Sequence, residues 1–158
     1  MRTVKLTKMA CIAALYATLT VFAQAISFGP IQLRVSEALT LLPFIMPEAV
    51  AGLTVGCFIA NMFGGSIIDM IFGTVATLIA ALITRRVHSM WISPIPVIAV
   101  NAVVVGAVVT CMTFEFSLIT YVSVAASIAL SETLICYCGG IPLLIFVKKL
   151  GDKYKFFS

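Results

Sequence analysis

The chain has 158 residues, of which 62% are hydrophobic and 10% are charged, and its formal net charge is +4. Soluble domains carry about 25% charged residues, so this composition predicts an integral membrane protein and leaves no length for an added soluble domain. The apolar runs are continuous, which favours helices over a membrane β-barrel. At about 20 residues for each span, the length allows one all-α domain, residues 1–158, with five or six transmembrane helices.

The first half of the chain predicts three helices. The first covers residues 7–26 and ends where glycine and proline interrupt the pattern. The second, at 36–46, contains Pro43 and is too short to cross a bilayer alone at about 1.5 Å per residue, so we expect it to be tilted, broken or extended by irregular backbone, which a membrane tolerates only where it lines protein or a polar cavity. The third covers 47–62, with Glu48 at its N-terminus. Its small residues, which let another helix approach closely, are Gly52, Gly56, Ala60 and Gly64.

The second half predicts three longer helices, at residues 67–84, 94–112 and 118–150. Asn101 lies in the middle of the fifth helix, and Glu132 lies near the centre of the sixth. Two glycines followed by a proline predict a kink in the sixth helix at residues 139–142.

Three basic clusters predict the orientation, because cytoplasmic loops of membrane proteins are enriched in lysine and arginine. With six crossings all three clusters lie on the cytoplasmic side, whereas five crossings would separate them. We therefore expect a multi-pass protein of the cell membrane with cytoplasmic N- and C-termini. The rule also accounts for the positive net charge without a nucleic-acid partner. The clusters are Arg2, Lys5 and Lys8; Arg85 and Arg86; and Lys148, Lys149, Lys153 and Lys155.

Polar side chains at the outer end or middle of the predicted helices form the candidate binding site. A charge at the bilayer centre costs about 2.5–3.5 kcal/mol, so such residues are kept where they are paired, hydrated or used. In a bundle they can converge on a cavity open to the outside. The candidates are Gln32, Arg34, Glu37, Asn61, Asp69, Asn101 and Glu132.

Simpler interpretations remain open for several of these residues. Arg34 and Glu37 are three positions apart, so they can form an internal ion pair or lie in a solvated loop. Asn101 can serve only to bond a neighbouring helix, and Asp69 can serve only to stabilise its helix N-terminus. Glu132 is the strongest candidate, because no lysine or arginine lies within one helical turn of it.

Enzymatic chemistry has little support in the sequence. There is no phosphate-binding GxxxxGK motif and no readable catalytic triad, so an ATP-driven process would need ATPase subunits on other chains. The five cysteines include no CxxC pair, and His88 stands alone, which argues against a metal site. We expect a protein that is not an enzyme and has no cofactor.

Small residues also mark one face of the first helix. Two overlapping AxxxA spacings place them near its cytoplasmic end, where they permit close contact within the bundle or with a partner protein. These candidate docking residues are Ala10, Ala13, Ala14 and Ala17.

Several runs resemble the QueT family of queuosine-precursor transporters, which are substrate-binding (S) components of energy-coupling factor (ECF) transporters. They are residues 31–44 (IQLRVSEALTLLPF), the Pro-Glu pair that follows, 52–61 (GLTVGCFIAN) and 67–78 (IIDMIFGTVATL). The resemblance covers nearly the whole chain and is weaker after Arg86. It implies a six-helix subunit that captures a 7-deazaguanine outside, such as queuine or its aminomethyl precursor.

The resemblance also implies partners and roles. The subunit would dock through the alanine face onto a transmembrane coupling subunit with two cytoplasmic ATPases. Glu132 or Asp69 would read the guanine edge, oriented by Asn61 and Asn101. Arg34 and Glu37 would lie in a lid, and a second carboxylate would hold the cationic aminomethyl group. The alternatives are an S component for another vitamin, a permease that needs no ATPase, and a membrane subunit that binds no small molecule.

Overall fold

The computed structural model describes residues 2–23, 34–64, 66–113 and 117–154, and within these ranges all regular structure is helical. The elements are α1 (Arg2–Phe22), a 3-10 helix (Val35–Phe44), α2 (Ala49–Gly64), α3 (Ile67–Thr84), α4 (Pro94–Thr113), α5 (Leu118–Leu134), a π-helical segment (Ile135–Gly140) and α6 (Ile141–Tyr154). The last three elements follow one another directly, so the described residues form six helical passes.

The predicted membrane bundle is confirmed. Four passes among the described residues are long and apolar enough to cross a bilayer: Thr3–Phe22, Ile67–Thr84, Pro94–Met112 and Leu118–Gly151. The other two, Val35–Phe44 and Ala49–Phe63, are apolar but shorter. Large apolar side chains such as Phe63, Ile67 and Ile119 are exposed on the outside, as a surface that faces lipid requires.

The short second pass is a 3-10 helix, which makes it longer than an α-helix with the same number of residues. A 3-10 helix rises about 2.0 Å per residue, against about 1.5 Å for an α-helix, so ten residues extend about 20 Å. Seven of its ten residues are buried, including Ser36, Glu37 and Pro43. The second pass is therefore a 3-10 helix and not irregular backbone, and most of it is surrounded by protein.

Helix α1 lies against α2 at very close range. A Cβ atom added to Gly52 would lie 2.8 Å from the Met9 carbonyl oxygen, and one added to Gly56 would lie 2.8 Å from that of Ala13. The predicted small face of α2 therefore receives α1. Lys5 Nζ and Glu48 Oε1 are 3.7 Å apart, so the two helices begin at the same end of the bundle and run parallel.

Helix α3 returns antiparallel to α2, since its Thr77 hydroxyl meets Cys57 while its first turn meets Asn61. It ends beside Arg85 and Arg86, at the end of the bundle where α1 begins. Tyr137 on the last pass donates to the carbonyl of Trp91 in the loop there, and α6 continues toward the same end. The described members of the three basic clusters thus share one end of the molecule.

Some predicted boundaries were wrong. Helix α1 already includes Arg2, and α2 begins at Ala49 because Pro47 and Glu48 form a turn. The predicted C-terminal part of the first helix lies outside the described residues. The position predicted for the kink, residues 139–142, lies at the end of the π-helical segment. A Cβ added to Gly140 would lie 2.7 Å from Leu41 Cδ1, so the 3-10 helix approaches the last pass closely there.

Candidate functional site

Five of the seven predicted site residues are buried inside the bundle, each exposing 4% or less of its surface. Four parts of the chain bring them together: the start of the 3-10 helix, the end of α2, the middle of α4 and the end of α5. Glu37 and Glu132 both interact electrostatically with Arg34 and with each other, so two carboxyl groups lie within electrostatic reach of one guanidinium group. This group, here called the polar cluster, consists of Arg34, Glu37, Asn61, Asn101 and Glu132.

The two carboxyl oxygens of Glu37 have different surroundings. Its Oε1 accepts a 2.6 Å hydrogen bond from the Tyr16 hydroxyl of α1. Its Oε2 is buried and has no hydrogen-bond partner among the described residues. A buried acceptor without a partner costs about 1–3 kcal/mol, so this oxygen is available to a ligand donor. The burial also rules out the solvated-loop interpretation of Arg34 and Glu37.

Glu132 is held by two neighbours. Asn101 Nδ2 donates to its Oε1 over 2.9 Å and also lies close to Glu37. Cys136, four residues further along the chain, lies 3.9 Å from Glu132 Oε2 and 3.9 Å from the Glu37 carbonyl oxygen. Helix α4 thus positions the carboxyl group of α5, and the π-helical segment ties both to the 3-10 helix.

Asn61 presents its amide in one orientation. Its Nδ2 donates to the Asp69 carbonyl oxygen over 3.1 Å and lies 3.4 Å from Cys57 Sγ. The Oδ1 must then face away, where it is buried without a partner among the described residues. Gly73 permits this arrangement, because a Cβ there would lie 3.1 Å from Asn61 Nδ2 and 3.8 Å from Arg34 Nη1.

Asp69 and Gln32 differ from the other five predicted residues. The Asp69 carboxylate is half-buried and lies in a capping box, with Oδ2 3.2 Å from Ser66 N and 3.1 Å from Ser66 Oγ. Its helix-capping interpretation therefore has direct structural support, and its backbone carbonyl holds Asn61. Gln32 lies outside the described residues.

Sequence reasoning missed Tyr16, Cys136 and Gly73 as neighbours of the cluster. Tyr16 carried a signal, because a buried tyrosine hydroxyl in an apolar helix needs a hydrogen-bond partner. Cys136 lies four residues after Glu132 and so shares its helical face. Gly73 had no such signal, since its role depends on the contact between α2 and α3.

The predicted docking alanines do not share one surface. Ala13 is buried against Gly56 of α2, and Ala17 is half-buried. Ala10 and Ala14 are exposed and remain the accessible members of the face.

The polar cluster is rich in acceptors. Two carboxyl groups face one guanidinium, and two acceptor oxygens, Glu37 Oε2 and Asn61 Oδ1, lack partners among the described residues. Such a set favours a ligand that carries several N–H donors or a cationic group. No group of three histidine, cysteine or acidic residues within the described ranges is placed to hold a metal ion.

Comparison with known proteins agrees with the resemblance seen in the sequence. The family model described as "QueT transporter" matches residues 6–149. The queuosine precursor transporter QueT of Lactococcus lactis subsp. cremoris (strain MG1363) is 39% identical over 80 residues. That match covers 49% of this chain and 47% of the relative, so it spans about half of the relative's length. No solved structure matches the chain.

Proposed function

Because the chain belongs to the QueT transporter family, we propose that it captures a queuosine precursor, a 7-deazaguanine, for import across the membrane. The observation that carries this proposal is the pair of buried acceptors, Glu37 Oε2 and Asn61 Oδ1, beside Arg34. The name of the Lactococcus relative supports the same substrate class.

The guanine edge matches Arg34 and Glu37. It offers a carbonyl oxygen next to two N–H donors, and a guanidinium next to a carboxylate is complementary to that pattern. Arg34 would donate to the carbonyl oxygen, while Glu37 Oε2 and Asn61 Oδ1 would accept from ring and amino N–H groups. These contacts favour Glu37 over Asp69 for this role, because the Asp69 carboxylate already caps α3.

The second carboxyl group suits the substituent of the ligand. An aminomethyl group is a cation, and a buried cation needs an opposite charge. Glu132, oriented by Asn101, would supply it. The predicted lid role of Arg34 and Glu37 stays a prediction, as does the docking role of the alanine face.

In the mechanism we propose, the chain is the S component of an ECF transporter. It would bind its ligand from outside, with the basic end in the cytoplasm, and depend on a coupling subunit and two ATPases for release inside. This mechanism is supported by the polar cluster inside the six described passes and by a sequence with no nucleotide-binding motif.

Calorimetry on the purified chain tests the substrate proposal. The ligands are queuine, 7-aminomethyl-7-deazaguanine, guanine and thiamine as an unrelated vitamin. Saturable binding of the 7-deazaguanines with no binding of thiamine is expected. Thiamine binding without 7-deazaguanine binding would contradict the substrate class.

Uptake into vesicles tests the transport mechanism. Vesicles that contain only this chain should not accumulate 7-aminomethyl-7-deazaguanine, whereas vesicles that also contain the coupling subunit, the ATPases and internal ATP should. Accumulation by the chain alone would identify a self-sufficient permease.

A further inference from the structure

Tyr16 connects the first helix to the polar cluster. Its ring packs in the apolar core between α1, α2 and the 3-10 helix, and only 1% of the residue is exposed. Its hydroxyl donates to Glu37 Oε1 over 2.6 Å. The packed ring fixes the direction of the hydroxyl, so this donor always reaches the same oxygen.

The hydrogen bond from Tyr16 is one of the interactions that affect the protonation of Glu37. A hydrogen-bond donor aimed at a carboxylate favours the ionised form, while burial favours the protonated form. An ionised carboxylate only accepts hydrogen bonds, whereas a protonated carboxyl group also donates. Without the Tyr16 hydroxyl, the ionised form of Glu37 loses a donor that favours it, and a proton taken up on Oε2 would oppose a guanine N–H donor.

We propose that Tyr16 is a positioning residue for ligand selectivity. By bonding Oε1 it keeps Glu37 an acceptor and leaves Oε2 for the amino group of a guanine-type ring. It thereby sets the preference for a ring that carries the 2-amino group over the same ring without it. This inference rests on the proposed function, since it assigns the guanine edge to Glu37.

Other polar, charged or titratable groups also surround Glu37, and the substitution of Tyr16 leaves these side chains unchanged. The guanidinium of Arg34 and the carboxyl group of Glu132 both lie within electrostatic reach of Glu37. Asn101 lies beside it on the α4 side, and the thiol of Cys136 lies 3.9 Å from its backbone carbonyl oxygen. The thiol of Cys57 faces the cluster from α2, and Asp69 acts from α3 through Arg34.

The experiment compares 7-deazaguanine with 7-deazahypoxanthine, which lacks the 2-amino group and is likewise uncharged near neutral pH. Calorimetry on the purified full chain gives both affinities at pH 6 and pH 8.5. The unsubstituted chain should prefer 7-deazaguanine at both pH values. In Tyr16→Phe the affinity for 7-deazaguanine should fall about tenfold, and the loss should be larger at pH 6 than at pH 8.5, because lower pH favours a protonated carboxyl group. The affinity for 7-deazahypoxanthine should change less.

Thr20→Val is the matched control. Thr20 Oγ1 lies 2.6 Å from Ser36 Oγ and 2.9 Å from the Tyr16 carbonyl oxygen, so this change breaks a second bond between α1 and the 3-10 helix without removing the Tyr16 hydroxyl or its bond to Glu37. It should leave the ligand preference and its pH dependence unchanged. Glu37→Gln should lose the preference at both pH values, and adding Tyr16→Phe to it should cause little further loss.

The outcomes separate this inference from the proposed function. An unchanged preference in Tyr16→Phe, or an equal loss for both ligands with no pH dependence, overturns the role of Tyr16 while the proposed function stands. If Tyr16→Phe does not fold, Glu37→Gln provides the test. Retention of the preference for 7-deazaguanine in that variant overturns the role proposed for Tyr16. Binding of neither ligand by the unsubstituted chain overturns both proposals.

Discussion

The polar cluster and the turn between α2 and α3 each present acidic side chains, but they use them differently. In the turn, Ser66 and Asp69 satisfy each other within four residues of sequence. In the cluster, Glu37 is assembled with partners from α1, α4 and α5, and one of its oxygens is left without a partner among the described residues.

The difference indicates where a ligand can add energy. A carboxylate that is satisfied locally gains little from a further donor, whereas a buried acceptor without a partner regains the cost of its desolvation when a donor arrives. We therefore expect substitutions in the cluster to alter binding, and substitutions in the turn to alter stability.

Glu37→Gln should have the largest effect on binding. The change keeps the side-chain size but replaces one acceptor oxygen with an amide donor and removes the charge that faces Arg34. The variant loses a charge-assisted contact, and its new amide N–H can face an N–H donor of the ligand. The affinity for 7-deazaguanines should therefore fall about a hundredfold. Calorimetry measures the loss, and thermal unfolding in detergent shows whether the fold is kept. Affinity within a factor of two of the unsubstituted chain would remove Glu37 from the site.

Glu132→Gln should act on one part of the ligand. Asn101 can still bond the new side chain, but the charge opposite the aminomethyl group is gone. The affinity for 7-aminomethyl-7-deazaguanine should fall about tenfold, while that for 7-deazaguanine should change little. The ratio of the two affinities is the measurement. An equal loss for both ligands would place Glu132 at the guanine edge instead.

Gly73→Ala tests the contact between the cluster and α3. The added methyl group would lie 3.1 Å from Asn61 Nδ2, so the amide must shift by a few tenths of an ångström and its Oδ1 must move with it. We expect a loss of affinity of about fivefold, since hydrogen bonds weaken with small displacements.

Gly106→Ala is the control for that change. A Cβ there would lie 3.2 Å from Ala125 Cβ, at the α4–α5 contact, so it is similarly crowded. It should reduce stability without a matching loss of affinity. Equal effects of the two variants on binding would mean that tight helix packing in general, and not the position of Asn61, sets the affinity.

Much of the architecture could be predicted because each helix is signalled by its own residues. The bounds of α3 were predicted correctly at both ends, since Ser66 and Asp69 start the helix and Arg85 follows its last residue. The second pass was recognised as unusual from its short length and from Pro43. Its 3-10 geometry was not predicted, because that geometry depends on the distance that its ten residues span in the folded bundle.

The cluster could be predicted only in part. Buried charges are rare in membrane helices, so Glu37 and Glu132 were visible as candidates in the sequence. The division of the Glu37 oxygens was not, because it depends on Tyr16, which lies 21 residues away on another helix. The resemblance left both Glu132 and Asp69 as readers of the guanine edge, whereas the structure shows that the Asp69 carboxylate has a partner three residues before it.

Asp69→Asn should have the smallest effect on binding and completes the comparison. Asparagine removes the charge that favours the N-terminus of α3 and weakens the capping box with Ser66, which should cost about 1 kcal/mol of unfolding free energy. The Asp69 carbonyl oxygen still holds the Asn61 amide, so the affinity for 7-deazaguanine should stay within about threefold. Thermal unfolding and calorimetry on the same preparation separate the two effects. A stable variant with a hundredfold loss of affinity would show that the Asp69 carboxylate leaves its cap to bind the ligand, and the contrast between the turn and the cluster would then be wrong.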